Sequence, residues 1–333
     1  MTIHIRGTVE FEKILSEPWQ PAIDMTRTRM TVQQLLDTQE SPNILEKRLR
    51  DYVNKTDSII DHLSKQAAES LVEHPIFEWS VNDSIIRSPC WRLESILPRY
   101  TLAVMAENEA HHKIENQNYR EASHSFLSAI DMHKQCVQKL ALWKWKLPAL
   151  NHDILQKQWH LSKIEMLTGM TTLCMLSTGI QKQFNSTVLF TAVQRALRSF
   201  SRSLATWPSK QAQDLMNVAE ALRYYFSSDI LWSGERYGES IRRLERWSRQ
   251  KLEFGPFQIL KDEWAKVPLL LSERHTTNNG AYFDAIKDAT PLCSPVELIN
   301  TLEATDIPHP PTTRAWAAGD ANVSTPTEFQ ESQ

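Results

Sequence analysis

Between Pro148 and Pro208 the chain carries no proline, and only 8 glycines occur in its 333 residues. Proline removes a ladder hydrogen bond and glycine adds backbone entropy, so a stretch so poor in both is free to form long helices. The apolar residues there recur at spacings of three and four. Ile154, Leu161, Ile164, Leu167, Leu173 and Leu176 predict a helix from Asp153 to about Thr178, with Gly179 at its C-terminal end. Val188, Ala192, Ala196 and Phe200 share a face of the next, over Val188 to Leu204, and Trp207-Pro208 breaks it.

The same periodicity continues in RYYFSSDILWSGERYGESIRRLERW, Arg223 to Trp247, where one helix ends at Ser233-Gly234 and another begins at Tyr237. Leu222, Tyr225, Phe226 and Ile230 of the first face Tyr237, Ser240, Ile241, Leu244 and Trp247 of the second, and the small Ser240 allows close backbone approach. Tyr119, Ala122, Phe126, Ala129 and Ile130 repeat that order: an aromatic, a small residue three on, a large apolar residue seven on. This is the spacing of tetratricopeptide-like helical hairpins, although the two copies are too far apart to be adjacent repeats. Most of the tryptophans, among them Trp143, Trp145, Trp159, Trp232, Trp247 and Trp264, fall at helical spacing and read as core, with a peptide groove as the functional alternative.

The flanks differ. Ile3, Ile5, Val9 and Phe11 alternate with polar residues, which predicts a half-buried strand interrupted at Gly7 and hence a small N-terminal sheet. Pro18, Trp19 and Pro21 mark an irregular connection, after which Ser41-Pro42 starts a helix closed by His74-Pro75. The passage IFEWSVNDSIIRSPCW reads as loop-rich and leads to a helix from about Trp91 to Glu115, kinked or broken at Pro98. A helix to about Trp145 follows, and a final long helix extends into Leu269 to Leu271. From Pro291 onward prolines cluster without a periodic apolar face, which predicts an extended strap grading into a disordered tail.

Several function classes lack support. With 37 basic and 40 acidic residues, net charge −3, nothing points to nucleic acid. Arg242, Arg243, Arg246, Arg249 and Lys251 are interleaved with Glu239, Glu245 and Glu253, the pattern of a solvated helix face. Cys90, Cys136, Cys174 and Cys293 have no short paired spacing, which fits a reduced, cytoplasmic protein, and neither a signal peptide nor a membrane span is expected. Glu109-x-x-His112 could present two ligands to one metal. A di-metal helical site needs a second such box, and the sequence has none, so no metal or cofactor is expected there.

The order of passages resembles the Bro-one (BRO) domain family, the helical domain of the Alix and Brox adaptors, and within it the Brox branch. Phe77-Glu78-Trp79, the Glu94-centred helix and NYREASHSFLSAIDMHKQCV carry part of the likeness. Tyr225 followed after twelve residues by Tyr237-Gly238-Glu239-Ser240-Ile241-Arg242-Arg243-Leu244 is its most specific element. Asn279-Gly280-Ala281-Tyr282-Phe283 with Ile286 and Pro291 resembles the strap, and Pro310-Pro311-Thr312 with Trp316 the closing segment. Lys287 stands where the family usually has proline, and the chain ends Glu331-Ser332-Gln333 without the cysteine of Brox's prenylation box.

The resemblance implies a mainly α fold: an elongated, curved, tetratricopeptide-like solenoid with a small N-terminal β-sheet and an extended C-terminal strap. Residues 1–318 would form the BRO domain and 319–333 a disordered tail, dispensable for folding. The implied function is that of a non-enzymatic, monomeric adaptor without cofactor. It would bind the C-terminal amphipathic helix of an ESCRT-III subunit of the charged multivesicular body protein class, in the cytoplasm and on endosomal or nuclear-envelope membranes. Aligning Phe200 with the family's matching aromatic carries the binding patch to Met175, Val188 and Ala192, with Leu176 and Leu189 contributing under a register one residue off. Core positions are the other reading of all five. A general peptide-binding scaffold and a helical metalloenzyme using Glu109 and His112 stay open as alternatives.

Overall fold

In the computed structural model, β1 (Ile3–Arg6) buries Ile3 and Ile5 and leaves Arg6 exposed, as alternation demands. The structure describes residues 3–7, 9, 11, 20–38, 41–65, 77–82, 84–88, 92–141 and 152–286, with the backbone alone at 61–65, 88 and 92. The expected helix stop at His74-Pro75, Cys90, Trp143, Trp145, Cys293, the strap beyond Ile286 and the boundary at 318 lie outside them.

The partners of β1 come from the passage read as loop. β2 (Phe77–Val81) and β3 (Ser84–Ser88) form a hairpin, and the sheet is antiparallel in the order β1-β2-β3, with Ile5 opposite Trp79 and Trp79 opposite Ile86. Phe77, Trp79 and Val81 all face the core, and Asn82 enters the connecting turn at φ 51, a left-handed conformation that asparagine tolerates. Alternation ahead of an Asn-Asp turn was the signal available.

Residues 20–38, read as part of an irregular connection, are instead α1 (Gln20–Thr38). Pro21 is its second residue, where a missing N–H breaks no helical bond. The apolar stripe was obscured because its buried side includes Thr26, Thr28 and Arg29 among Ala22, Met25, Val32 and Leu35. Arg29 donates to the carbonyl of Gly7 at 2.8 Å and, more distantly, to that of Arg6. It also pairs with Glu94 at 3.4 Å, a fully buried carboxylate that accepts from Trp79 Nε1 at 2.7 Å and from the Tyr52 hydroxyl. This cluster ties β1, β2, α1 and α2 (Pro42–Lys65) to the start of α3 (Arg92–Glu115), which runs through Pro98 without a break. A buried ion pair of this kind persists because the Glu94 carboxylate accepts from three donors and both terminal nitrogens of Arg29 are bonded, although Arg29 Nε is left without a partner.

α4 (Tyr119–Ala141), α5 (Lys157–Gln181), α6 (Ser186–Thr206), α7 (Lys210–Ser233) and α8 (Tyr237–Trp247) follow, and from α3 to α8 each helix packs on the next, the stacking of a helical solenoid. Tyr119, Ala122, Phe126, Ala129 and Ile130 are all buried, as their spacing predicts. Gly179 does not end α5. It sits in its last turn, where an added Cβ would press on Leu189 of α6 at 2.9 Å. The expected final long helix is two helices, α9 (Gln258–Trp264) and α10 (Val267–Thr277), because Pro268 belongs in a first turn and restarts the helix there.

The close approach expected at Ser240 is present. Ser228 and Ser240 donate to each other's carbonyl oxygens at 2.7 and 2.9 Å, which draws α7 and α8 together, and Arg274 of α10 donates to both hydroxyls and to Asp229. Arg243, expected on a solvated face, is buried between these helices, while Arg242, Arg246 and Arg249 are exposed. Beyond α10, Asn278 brackets the main chain of Asp284 with two hydrogen bonds, and the Asp284 carboxylate accepts from Gly238 N at the start of α8.

One polar seam crosses the middle of the stack. His160 of α5 uses Nε2 to donate to the Ile154 carbonyl at 2.7 Å, so its Nδ1 is the acceptor for His133 of α4 at 2.9 Å. His133 then faces the Glu107 carboxylate of α3 through Nε2 at 3.1 Å, and Lys163 approaches the same carboxylate at 3.4 Å. His133 thus bridges His160 of α5 and Glu107 of α3 through its two ring nitrogens. Trp159 lies edge-on to both imidazoles.

Candidate partner-binding site

Helices α5 and α6 form an antiparallel pair whose register is set by small residues. Ser162 bonds the Ser203 carbonyl and hydroxyl at 2.9 Å, Gly169 lies against the Phe200 ring where a Cβ would come within 2.5 Å, and Gly179 lies against Leu189. Asn185 caps α6 by accepting from Val188 N at 3.0 Å. In this register Met175 falls level with Ala192, Thr172 with Arg195, and Glu165 with Arg202.

The five residues transferred from the resemblance separate cleanly by exposure. Met175 is 43% and Val188 47% exposed, and Ala192 is partly buried, so these three offer an apolar spot to solvent. Leu176 at 1% and Leu189 at 6% point the other way, into the core with Leu173, Val193 and Phe200. Phe184, in the turn between the helices, is also exposed at 41% and was not foreseen, since no periodicity governs a turn.

Along the outward face of the pair the apolar spot gives way to charge. Val188 is followed by Arg195, Arg198 and Arg202, and α6 contains these three arginines and no acidic residue. The three sit close enough that, after burial, Arg202 and Arg195 push the Arg198 guanidinium below its ordinary value. Glu165 on α5 is the neighbouring carboxylate. Burial raises it above the usual range, and Arg202 opposes that shift. The row was visible as composition, but its common facing could not be read before the helix boundaries were known.

Glu109 and His112 lie near the end of α3. Glu109 bonds Lys113 at 2.7 Å, and His112, its side chain 75% exposed, stands near Glu115 and Asn116. Among the described residues no group of three or more His, Cys, Asp or Glu could hold a metal ion, and no helix is long and apolar enough to cross a membrane.

A short antiparallel sheet and a stack of sequential helices define a helical, solenoid-like fold. Neither models of known families nor curated proteins match the chain. Solved structures do: the chain is similar to ALIX BRO1 in complex with CHMP4C at TM-score 0.67 and 12% identity, over 89% of this chain and 96% of that one. It is similar to ALIX in complex with the SIVmac239 PYKEVTEDL late domain at TM-score 0.66 and 11% identity, covering 88% of this chain and 46% of that longer one. A Bro1 domain described in terms of endosomal targeting matches at TM-score 0.64 and 11% identity, over 87% of both chains. The scaffold has the Bro1-domain fold.

Proposed function

We propose that the protein is a non-enzymatic adaptor that docks the C-terminal amphipathic helix of an ESCRT-III subunit, of the charged multivesicular body protein class, on the face made by α5 and α6. The observation that carries this reading is the exposure of Met175 and Val188 beside Ala192, while the adjacent Leu176 and Leu189 are core. Two apolar side chains held outward on rigid helices suit helix-in-groove recognition, where a partner's residues at i, i+3, i+4 and i+7 enter between them. The complex of ALIX BRO1 with CHMP4C supports the partner class by analogy of fold. Such an adaptor works in the cytoplasm and reaches endosomal or nuclear-envelope membranes through its partner.

The test is binding of synthetic C-terminal helix peptides from a panel of charged multivesicular body proteins, by fluorescence anisotropy, to the protein and to Val188→Asp. Because Val188 is 47% exposed, the variant should keep its circular dichroism and thermal midpoint. A carboxylate facing an apolar stripe should raise Kd at least about tenfold, about 1.4 kcal/mol. Unchanged binding by a folded variant would move the site elsewhere, and binding of unrelated helices with equal strength would favour a general peptide scaffold.

A further inference from the structure

We infer that the α5–α6 face selects its partner helix by charge as well as by apolar fit, through Arg195, Arg198 and Arg202, and that the partner carries acidic residues displaced to one side of its apolar anchors. This rests on the reading of Met175, Val188 and Ala192 as the docking spot. The α6 helix places three positive charges and no negative one on the surface continuous with that spot. Glu165 is the acid that α5 sets against the row, level with Arg202 at its far end. Arg198 Nε is buried without a hydrogen-bond partner, and the influences on this guanidinium are burial and two other arginines. Like charges held together at a surface raise the free energy of the unbound state and attract an oppositely charged partner.

Helix geometry fixes the spacing. Arg195, Arg198 and Arg202 lie seven, ten and fourteen residues after Val188. At a rise of about 1.5 Å per residue they stand about 10, 15 and 21 Å from it along the axis. A partner helix laid along α6 rises at the same rate, so its carboxylates belong about seven to fourteen positions from the apolar residue that meets Val188. A partner with the same apolar stripe but lysines at those positions would meet like charge and be rejected.

The probes are the ESCRT-III tail-helix peptides of the panel, each made in its native form and with its Asp and Glu replaced by Asn and Gln. Against the unaltered protein the native form should bind at least tenfold tighter than the amide form, and its affinity should fall as salt rises from about 50 to about 500 mM. Arg195→Glu/Arg198→Glu should lose at least tenfold for the native peptide and nothing for the amide form, with the salt dependence largely gone. Arg195→Ala/Arg198→Gln, a milder pair, should show the same pattern at smaller amplitude if the charge reversal disturbs folding. Suppose Val188→Asp loses binding while both arginine variants bind the native peptide as tightly, and with the same salt dependence, as the unaltered protein. The docking site then stands and charge selection is overturned. If Val188→Asp binds every peptide normally, the site itself is wrong and the inference falls with it.

Discussion

Replacing His160 with glutamine should flatten the acid side of the stability profile. Burial, then the charge on His133, pushes the His160 imidazole down to about 3 from its ordinary 6.5. Between those two values the unfolded chain binds a proton at this residue and the folded chain does not, so stability rises with pH and is lost as pH falls below about 6.5. At about pH 5 the loss is about 1.5 times 1.36, or about 2 kcal/mol. With an unfolding entropy of about 2.1 cal/mol/K per residue over roughly 300 residues, that lowers the thermal midpoint by about 3 °C. Glu107 acts in a separate window. Burial alone would raise its carboxyl, but Lys163 and His133 outweigh it and hold it at about 2, so its contribution disappears only as pH falls below about 4.5. His111, which burial also pushes down, adds loss of the same sign near pH 5, whereas burial lifts Tyr100 and Cys136 out of this range altogether.

The measurement is therefore a difference, the midpoint at about pH 7.5 minus that at about pH 5, taken by calorimetry on the protein and on His160→Gln. The variant starts lower, by about 1 to 3 kcal/mol, because the flexible amide, although it has both a donor and an acceptor, does not hold them where the rigid ring held Nε2 and Nδ1 against the Ile154 carbonyl and His133. Its acid-induced drop should nonetheless be smaller by about 3 °C. Equal drops in the two proteins would refute the reasoning, since a solvated or already charged His160 has no proton to resist.

Two further predictions follow from packing. Leu176→Asp should unfold the protein or cost at least about 4 kcal/mol in a urea titration, because it buries an unpaired carboxylate beside Val193 and Phe200; a stable Leu176→Asp would mean the helix is rotated from the register described. Gly238→Ala would overlap the Ala285 carbonyl oxygen and displace the Asp284 carboxylate from Gly238 N. Limited proteolysis should then cut faster near 283–286, with a stability loss of about 1 to 3 kcal/mol, and an unaltered digestion pattern would show that the segment shifts without cost.

The middle of the chain was legible because its helices are amphipathic and uninterrupted, so periodicity located α4 to α8 and most of their buried residues, although Leu161 and Val188, read onto those stripes, are exposed. It failed where local chemistry ran against pattern. α1 hides an arginine and two threonines in its buried face, and its first turn contains a proline that looks like a breaker. The β2–β3 hairpin is too short for its alternation to stand out among aromatic residues, and α9 and α10 share one apolar run divided by Pro268. The proposed docking spot comes only from the resemblance; periodicity alone leaves Val188 and Leu189 equivalent, and the packing of α6 on α5 exposes the first and buries the second. The seam of Glu107, His133 and His160 could not be read at all, since three residues on separate helices share no local pattern.

Beside its side-chain pairs, this fold has a set of tethers that reach for main-chain atoms. Arg29 holds the carbonyls of Arg6 and Gly7, His160 that of Ile154, Ser162 those of Ser203 and Trp207, and Asn278 both polar groups of residue 284. Each bond needs one particular side chain at one end and leaves the identity of the residue at the other end free. Mutational drift at the receiving positions therefore leaves the tether intact as long as the backbone holds its path. At these anchor points the shape of the chain depends on fewer side-chain identities than a pairwise contact would require.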